Sequence, residues 1–186
     1  MLRCTRARAA VVLLAVLAML PGVARPASAP VAVGGTRWIC ESKAKVKVKG
    51  AGDTWFGLVA FTFGPHAAQG LSATQFLARD VYGPPGYVGV RGTYTADPKG
   101  KIAMVPNAND IKDEIADSLY DLADKEGVWL SDVVITLVSQ KAAGKVSHKG
   151  TCKFKVTTTF EVRARVDGEF FSSKGSWSVQ SVGLLE

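Results

Sequence analysis

The sequence predicts a mainly β fold with a minor helical part: an antiparallel, strongly curved sheet or β-barrel of about seven to eight strands, with one short and one longer helix in the connections. Three observations carry that expectation. Residues 151–166 alternate apolar and polar side chains without a break, hairpin-type turns join most of the other apolar runs, and sustained helical periodicity is confined to residues 110–125.

The folded part is expected to begin near residue 30. Arg3, Arg6 and Arg8 precede an apolar run from Ala9 to Leu20; Pro21 to Ala29 then breaks the helix and ends in Ala27-Ser28-Ala29, an A-x-A cleavage site. Residues 1–29 therefore read as a cleavable signal peptide, the protein as secreted or periplasmic, and residues 30–186 as a single β-rich domain. The apolar run is shorter than the roughly 20 residues of a membrane helix, and no later segment is apolar enough to span as one. Cleavage removes four arginines and no acids, so 23 basic residues against 16 acidic become 19 against 16. Much of the apparent basicity is a targeting device, and no nucleic-acid partner is expected. Of three cysteines Cys4 leaves with the signal. In an exported protein the remaining pair, Cys40 and Cys152, is expected to form one disulfide, for which the chain-entropy argument allows up to about 4.7 kcal/mol.

Each element follows from local pattern. In Trp38 to Val48 the residues Trp38, Cys40, Ala44, Val46 and Val48 share one face, with Glu41, Lys43, Lys45 and Lys47 on the other, as in a strand with one buried side. A turn at Gly50-Ala51-Gly52-Asp53 leads into a second strand, Thr54 to Phe63, apolar on both faces. Residues 64–86 form a Gly/Pro-rich excursion. Within it Ser72 and Gln75 have capping-box spacing and Leu71 and Phe76 the spacing of a hydrophobic staple, which predicts a short helix around Ala73 to Arg79. Tyr87 to Thr95 and Lys101 to Val105 pair about Asp97-Pro98-Lys99-Gly100. The longer helix runs from about Asp110 to Lys125, capped by Asn107 or Asn109 and stopped by Gly127; Ile111, Ile115, Leu119 and Leu122 form its apolar stripe, and Asp113, Glu114, Asp117, Asp121 and Asp124 fill the remaining arc. Leu130 to Ser139 is a further strand. Asp167-Gly168 is a favoured two-residue turn after the long strand. Pairing outward from it sets Ala164 opposite Phe171, Phe160 opposite Gly175, Thr158 opposite Trp177 and Val156 opposite Val179, large rings against small residues, which suits a tightly curved inner face.

No catalytic signature is present, so the protein is expected to be non-enzymatic, with no cofactor and no metal. A nucleophile elbow is missing: Gly175-Ser176-Trp177-Ser178 lacks the closing glycine. His66 lies in a Gly/Pro loop and His148 beside lysines, both read as solvated. Metal motifs are missing as well, and the helical acids Asp113, Asp117, Asp121 and Asp124 read as a wet face, since rigid helical carboxylates rarely converge enough oxygens for calcium. An outer-membrane barrel is excluded by the polar face of the long strand, Lys153, Lys155, Glu161, Arg163 and Arg165, and by a strand count of about seven.

Two surfaces remain as candidates. The inner face gathers Trp38, Trp55, Phe61, Phe63, Phe154, Phe160, Phe171 and Trp177 among glycines, a lining that describes equally a ligand pocket and a packed core. The outer face aligns Lys43, Lys45, Lys47 and Lys49, which Lys153, Lys155, Arg163 and Arg165 join if the two strands lie close; such a face binds anionic glycans or lipid headgroups, or simply keeps the sheet soluble. Gly175-Ser176-Trp177, Gly92-Thr93-Tyr94 and the exported antiparallel pattern resemble, over these short pieces, the calycin group of lipocalins and avidins. The lipocalin Gly-x-Trp lies on the first strand and this one on the last, so the resemblance implies a calycin-like barrel for small apolar molecules and transfers no binding residue. The expected function is that of an exported binding protein holding a hydrophobic small molecule or lipid, with residues 64–86 as its lid; the alternative is a packed interaction module acting through the basic face.

Overall fold

The computed structural model describes residues 30–83 and 89–186, so residues 1–29, where the sequence leads one to expect a signal peptide, and residues 84–88 lie outside the described residues. Eight antiparallel strands succeed one another around a closed barrel: β1 (Arg37–Val48), β2 (Ala51–Phe63), β3 (Gln75–Asp80), β4 (Val90–Ala96), β5 (Lys101–Pro106), β6 (Leu130–Val146), β7 (Thr151–Val166) and β8 (Glu169–Leu185), which returns to pair with β1. Among the described residues one helix, α1 (Ala108–Glu126), connects β5 to β6, and one 3-10 turn, Ala67–Gln69, lies between β2 and β3.

Turn chemistry sets the register. Asp167 and Gly168 both have positive φ, 52° and 86°, the two-residue hairpin geometry that matches strand twist. All four pairings expected across that turn are present. The first hairpin is tighter than expected, because Lys49 and Gly50 alone join Val48 to its partner Ala51, with Gly50 at φ 83°. β6 runs on to Val146 instead of ending at Ser139. Register shifts at Ser131/Val134 and Leu137/Ser139 break the alternation along it, so its pattern is not legible as one strand.

The short helix expected around Ala73 to Arg79 is not formed; that stretch contributes β3. The Ser72 and Gln75 contact exists, the Gln75 Oε1 accepting from the Ser72 N–H at 2.9 Å, yet it closes a turn that leads into a strand. Phe76 and Ala78 pair with Phe63 and Phe61 on β2, and this long-range pairing outweighs a local helical preference.

The barrel wall is uneven. Strands β1, β2 and β6 to β8 have 12 to 17 residues, whereas β3, β4 and β5 have 6 or 7. α1 closes the low side. Its start is fixed by Asn107, whose side chain accepts from the N–H groups of Asn109 and Asp110, and its end by Gly127 in the left-handed conformation. Ile111, Ile115, Leu119 and Leu122 turn into the barrel, each burial contributing about 1.5–3 kcal/mol. Lys125 pairs with Asp53 of β2 at 2.7 Å and the Trp177 indole N–H of β8 donates to Ser118 at 3.3 Å, tying the helix to the two strands that flank β1.

The opposite end is packed with rings. Trp38, Phe61, Phe63, Phe76, Tyr94 and Phe154 form one cluster, with Phe61 stacked on Phe154 at 4.3 Å and Phe63 edge-on to Tyr94 at 4.8 Å. Glycine makes room for two of these rings, since a Cβ on Gly144 would overlap the ring of Phe154 and one on Gly92 that of Phe76; Gly175 does the same for Phe160 at the helix end. The space beside these glycines is therefore filled by the rings that face them.

Eight strands is a number that outer-membrane barrels also use, so the strand-count argument drops away. The outward face of β7 remains charged, with Lys153, Lys155, Arg163 and Arg165 exposed. Among the described residues no helix is long and apolar enough to cross a membrane.

Gly144→Ala is expected to lower unfolding free energy by roughly 1–3 kcal/mol in urea melts, as overpacking does. Added to Phe154→Leu, the same substitution should cost clearly less; fully additive losses would contradict the ring-in-glycine account.

Candidate functional site: a pocket beneath the helix

Between the ring-packed end and α1 the barrel contains a pocket of about 200 Å³. Its origin lies in the inward positions of two paired strands. Along β1 these run Cys40, Ser42, Ala44, Val46, and their β2 partners are Val59, Gly57, Trp55 and Asp53. At mid-height three of the facing side chains are thus Ser42, Ala44 and Gly57, and Ala78 continues the series on β3. These side chains are too small to meet across the interior. Gly57 differs from the ring-bearing glycines, since nothing lies within 4 Å of a Cβ placed on it. The remaining wall comes from Phe61, Phe76, Val156 and Val179, and α1 forms the roof with Ile111, Glu114 and Ser118. Exposed Phe56, with Lys43 5.3 Å above its ring, stands at the rim.

The eight aromatics expected to line a pocket divide among three places. Trp55, Phe61 and Trp177 line it. Trp38, Phe63 and Phe154 belong to the packed end, and Phe160 fills the gap at Gly175 beneath α1. Phe171 packs, half-buried, against the helix layer. The small residues that create the pocket carry no signal of their own: an alanine or glycine in a strand reads as neutral until closure shows what it faces. The expected lid also differs. The described part of the excursion before β3 lies on the outside of the wall, where Gln69 lines a surface cleft with Ala60, Thr62 and Leu77, and α1 covers the pocket instead.

Glu114, assigned from the helical pattern to the solvent arc, lines the pocket, as does Asp80 at the end of β3. Burial, followed by the charges of Asp117 and Asp80, pushes the Glu114 carboxyl up to about 7. Asp117 is also raised, by burial and by Asp121 and Asp113. Among the described residues no group of three or more histidine, cysteine or acidic side chains is arranged to hold a metal. His66 is half-buried rather than fully solvated, and its Nδ1 has no hydrogen-bond partner.

The expected Cys40–Cys152 disulfide is not formed in the structure. The register Cys40, Gly183, Cys152 places β8 between the two cysteines, and two strand spacings, roughly 9–10 Å on a flat sheet, exceed the ~7 Å between Cα atoms that a disulfide spans. Inward curvature brings the sulfurs to 3.2 Å as buried thiols in contact. Cys40 is held as a thiol by its hydrogen bond to Cys152 and by burial.

β8 likewise separates the two halves of the basic face. Lys43 and Lys155 flank Gln180 in one row across the wall, while Lys45 and Lys47 continue along β1. Arg163 lies farther along β7, and Arg165 is paired with Asp132 at 3.3 Å. The register adds a row the sequence reading missed: Lys101, Lys145 and Lys153 are direct neighbours across β5, β6 and β7, and all three are exposed. Like charges placed directly opposite destabilise a sheet.

Comparison with known protein families and with curated proteins returns no match.

The unfolded chain ionises Glu114 near 4.5, whereas the native state keeps the proton to about 7. The stabilisation this gives is fully present below 4.5 and is lost as pH rises through 7. Glu114→Gln should therefore gain on the parent by up to about 3 kcal/mol between about pH 5 and about pH 8 in urea melts; parallel profiles for the two proteins would contradict the burial of this carboxyl.

Proposed function

We propose that the protein is an exported, non-enzymatic carrier that holds a hydrophobic small molecule or lipid between α1 and the β1–β3 wall. The observation that supports this is the pocket itself, an apolar space left by small inward residues in an otherwise densely packed barrel. An eight-stranded antiparallel barrel is compatible with a lipocalin-like binder, because its interior is just wide enough for one small ligand. At about 200 Å³ the pocket is smaller than the roughly 300–1,000 Å³ that drug-sized ligands occupy, which favours a short chain or a single ring system. The export half of the proposal rests on residues 1–29 as a cleaved signal.

Gly57→Phe fills the pocket from its open side and should weaken binding of the short-chain probe octanol, followed by isothermal titration calorimetry, at least about tenfold, while Gly57→Ala retains it. Far-UV circular dichroism checks that both variants fold. Equal binding by the parent and Gly57→Phe, or none by the parent, would contradict the carrier reading.

A second reading, an anionic glycan or lipid headgroup bound on the outer wall, is favoured by the Lys101, Lys145, Lys153 row. A sheet that tolerates adjacent like charges gains from an anion that neutralises them. Heparin retention that falls with salt and falls further in Lys145→Glu would support it; retention unchanged by that substitution would count against it.

A further inference from the structure

We propose that the barrel end formed by the β4–β5 and β6–β7 turns docks on the surface of an anionic lipid bilayer. The Lys101, Lys145, Lys153 row would lie on the headgroups, with Val182, Leu184 and Leu185 entering the interface beside it. This rests on the reading of the outer wall as an anion site and commits that site to one partner.

Lysines converge at this end from two turns as well as three strands. Lys99 stands in the β4–β5 turn and Lys149 in the β6–β7 turn. The Val146 N–H donates to the Gly100 carbonyl at 2.9 Å, which holds the first turn against the start of the second. Lys99, Lys101, Lys145, Lys149 and Lys153 are all exposed. The ion pairs among the described residues are Arg37 with Glu186, Lys125 with Asp53, Arg165 with Asp132 and Lys174 with Glu161, so none of the five lysines has a carboxylate partner. Asp97, the acid of the first turn, accepts through its Oδ1 from the backbone N–H groups of Lys99 and Lys101. Five like charges without a counter-charge in the fold are complementary to a surface dense in anions.

The apolar side chains next to the row separate a bilayer from a soluble polyanion. On β8, Val182 lies directly beside Lys153, with Glu41 on its other side, and Leu184 follows on the same outward face between Thr151 and Ile39. The Leu185 N–H donates to the Gly150 carbonyl at 3.0 Å, which brings Leu185 beside the turn that carries Lys149. Val182, Leu184 and Leu185 are 54%, 63% and 48% exposed. Branched aliphatics gain nothing from a glycan chain. A bilayer interface takes them out of water while the neighbouring lysines stay among the headgroups. Behind the patch the interior is filled by Trp38, Ile102, Val146 and Phe154, so the wall presents a fixed surface.

The test is co-sedimentation of the mature protein with vesicles of equal parts phosphatidylcholine and phosphatidylglycerol, set beside retention on heparin. Binding is expected to be at least about tenfold tighter than to phosphatidylcholine alone, and to fall at least about tenfold in Lys145→Glu, Lys153→Glu. Val182→Ser, Leu184→Ser should lower vesicle binding at least about tenfold and leave any heparin retention unchanged. The control Val134→Ser, Val138→Ser, exposed residues elsewhere on the wall, should change neither. Far-UV circular dichroism checks that each variant folds. If heparin retains the protein and vesicle binding is absent, or is unmoved by Val182→Ser, Leu184→Ser, the bilayer inference fails and the anion-binding wall stands. If neither heparin nor anionic vesicles bind, both fail.

Discussion

The interior of a closed eight-stranded barrel is about one layer of side chains across, and every inward residue must share it. That constraint organises the rest of the molecule. At one end it is met by pairing phenylalanines with glycines, so that Phe154 occupies the space above Gly144 and Phe76 that above Gly92. At the other end the short strands β3 to β5 leave the wall low, and α1 supplies the missing layer through Ile111, Ile115, Leu119 and Leu122. Between the two fillings, Ser42, Ala44, Gly57 and Ala78 are too small to meet across the gap. The pocket is what remains when both ends are packed and the middle is not.

Polarity is sorted across the same wall. Alternation along β1 and β7 sends lysines outward and apolar residues inward, and closure turns that local rule into a basic exterior around an interior whose ionisable lining is acidic. A helix at the low side brings Glu114 inward together with its apolar stripe. Burial there pushes its carboxyl up to about 7, so the group enters the lining uncharged below that pH. The ionisable side chains that line the pocket are thus acidic although the net charge of the chain is positive.

The elements legible in the sequence are those whose signals are local. The β7–β8 hairpin with its four pairings follows from unbroken alternation and an Asp-Gly turn, and α1 from its stripe, Asn107 and Gly127. β3 is misread because Ser72, Gln75, Leu71 and Phe76 satisfy helical spacing, while the pairing of Phe76 with Phe63 that decides the matter is long-range. β6 is truncated because register shifts interrupt its period. The site is the least legible part. Three of the eight expected aromatics line the pocket, but Gly57, Ala44 and Ala78 acquire meaning only from their partners across the sheet, and Glu114 lies at the edge of an arc whose solvent side is set by how α1 seats. The strand between Cys40 and Cys152 is equally invisible until the barrel closes through β8.

Native mass spectrometry of the protein isolated from its own source tests the central claim most directly. The account predicts a folded chain carrying one hydrophobic small molecule or lipid, removable by organic extraction and restored on adding the extract back. A uniform unliganded mass that the extract does not change would contradict it.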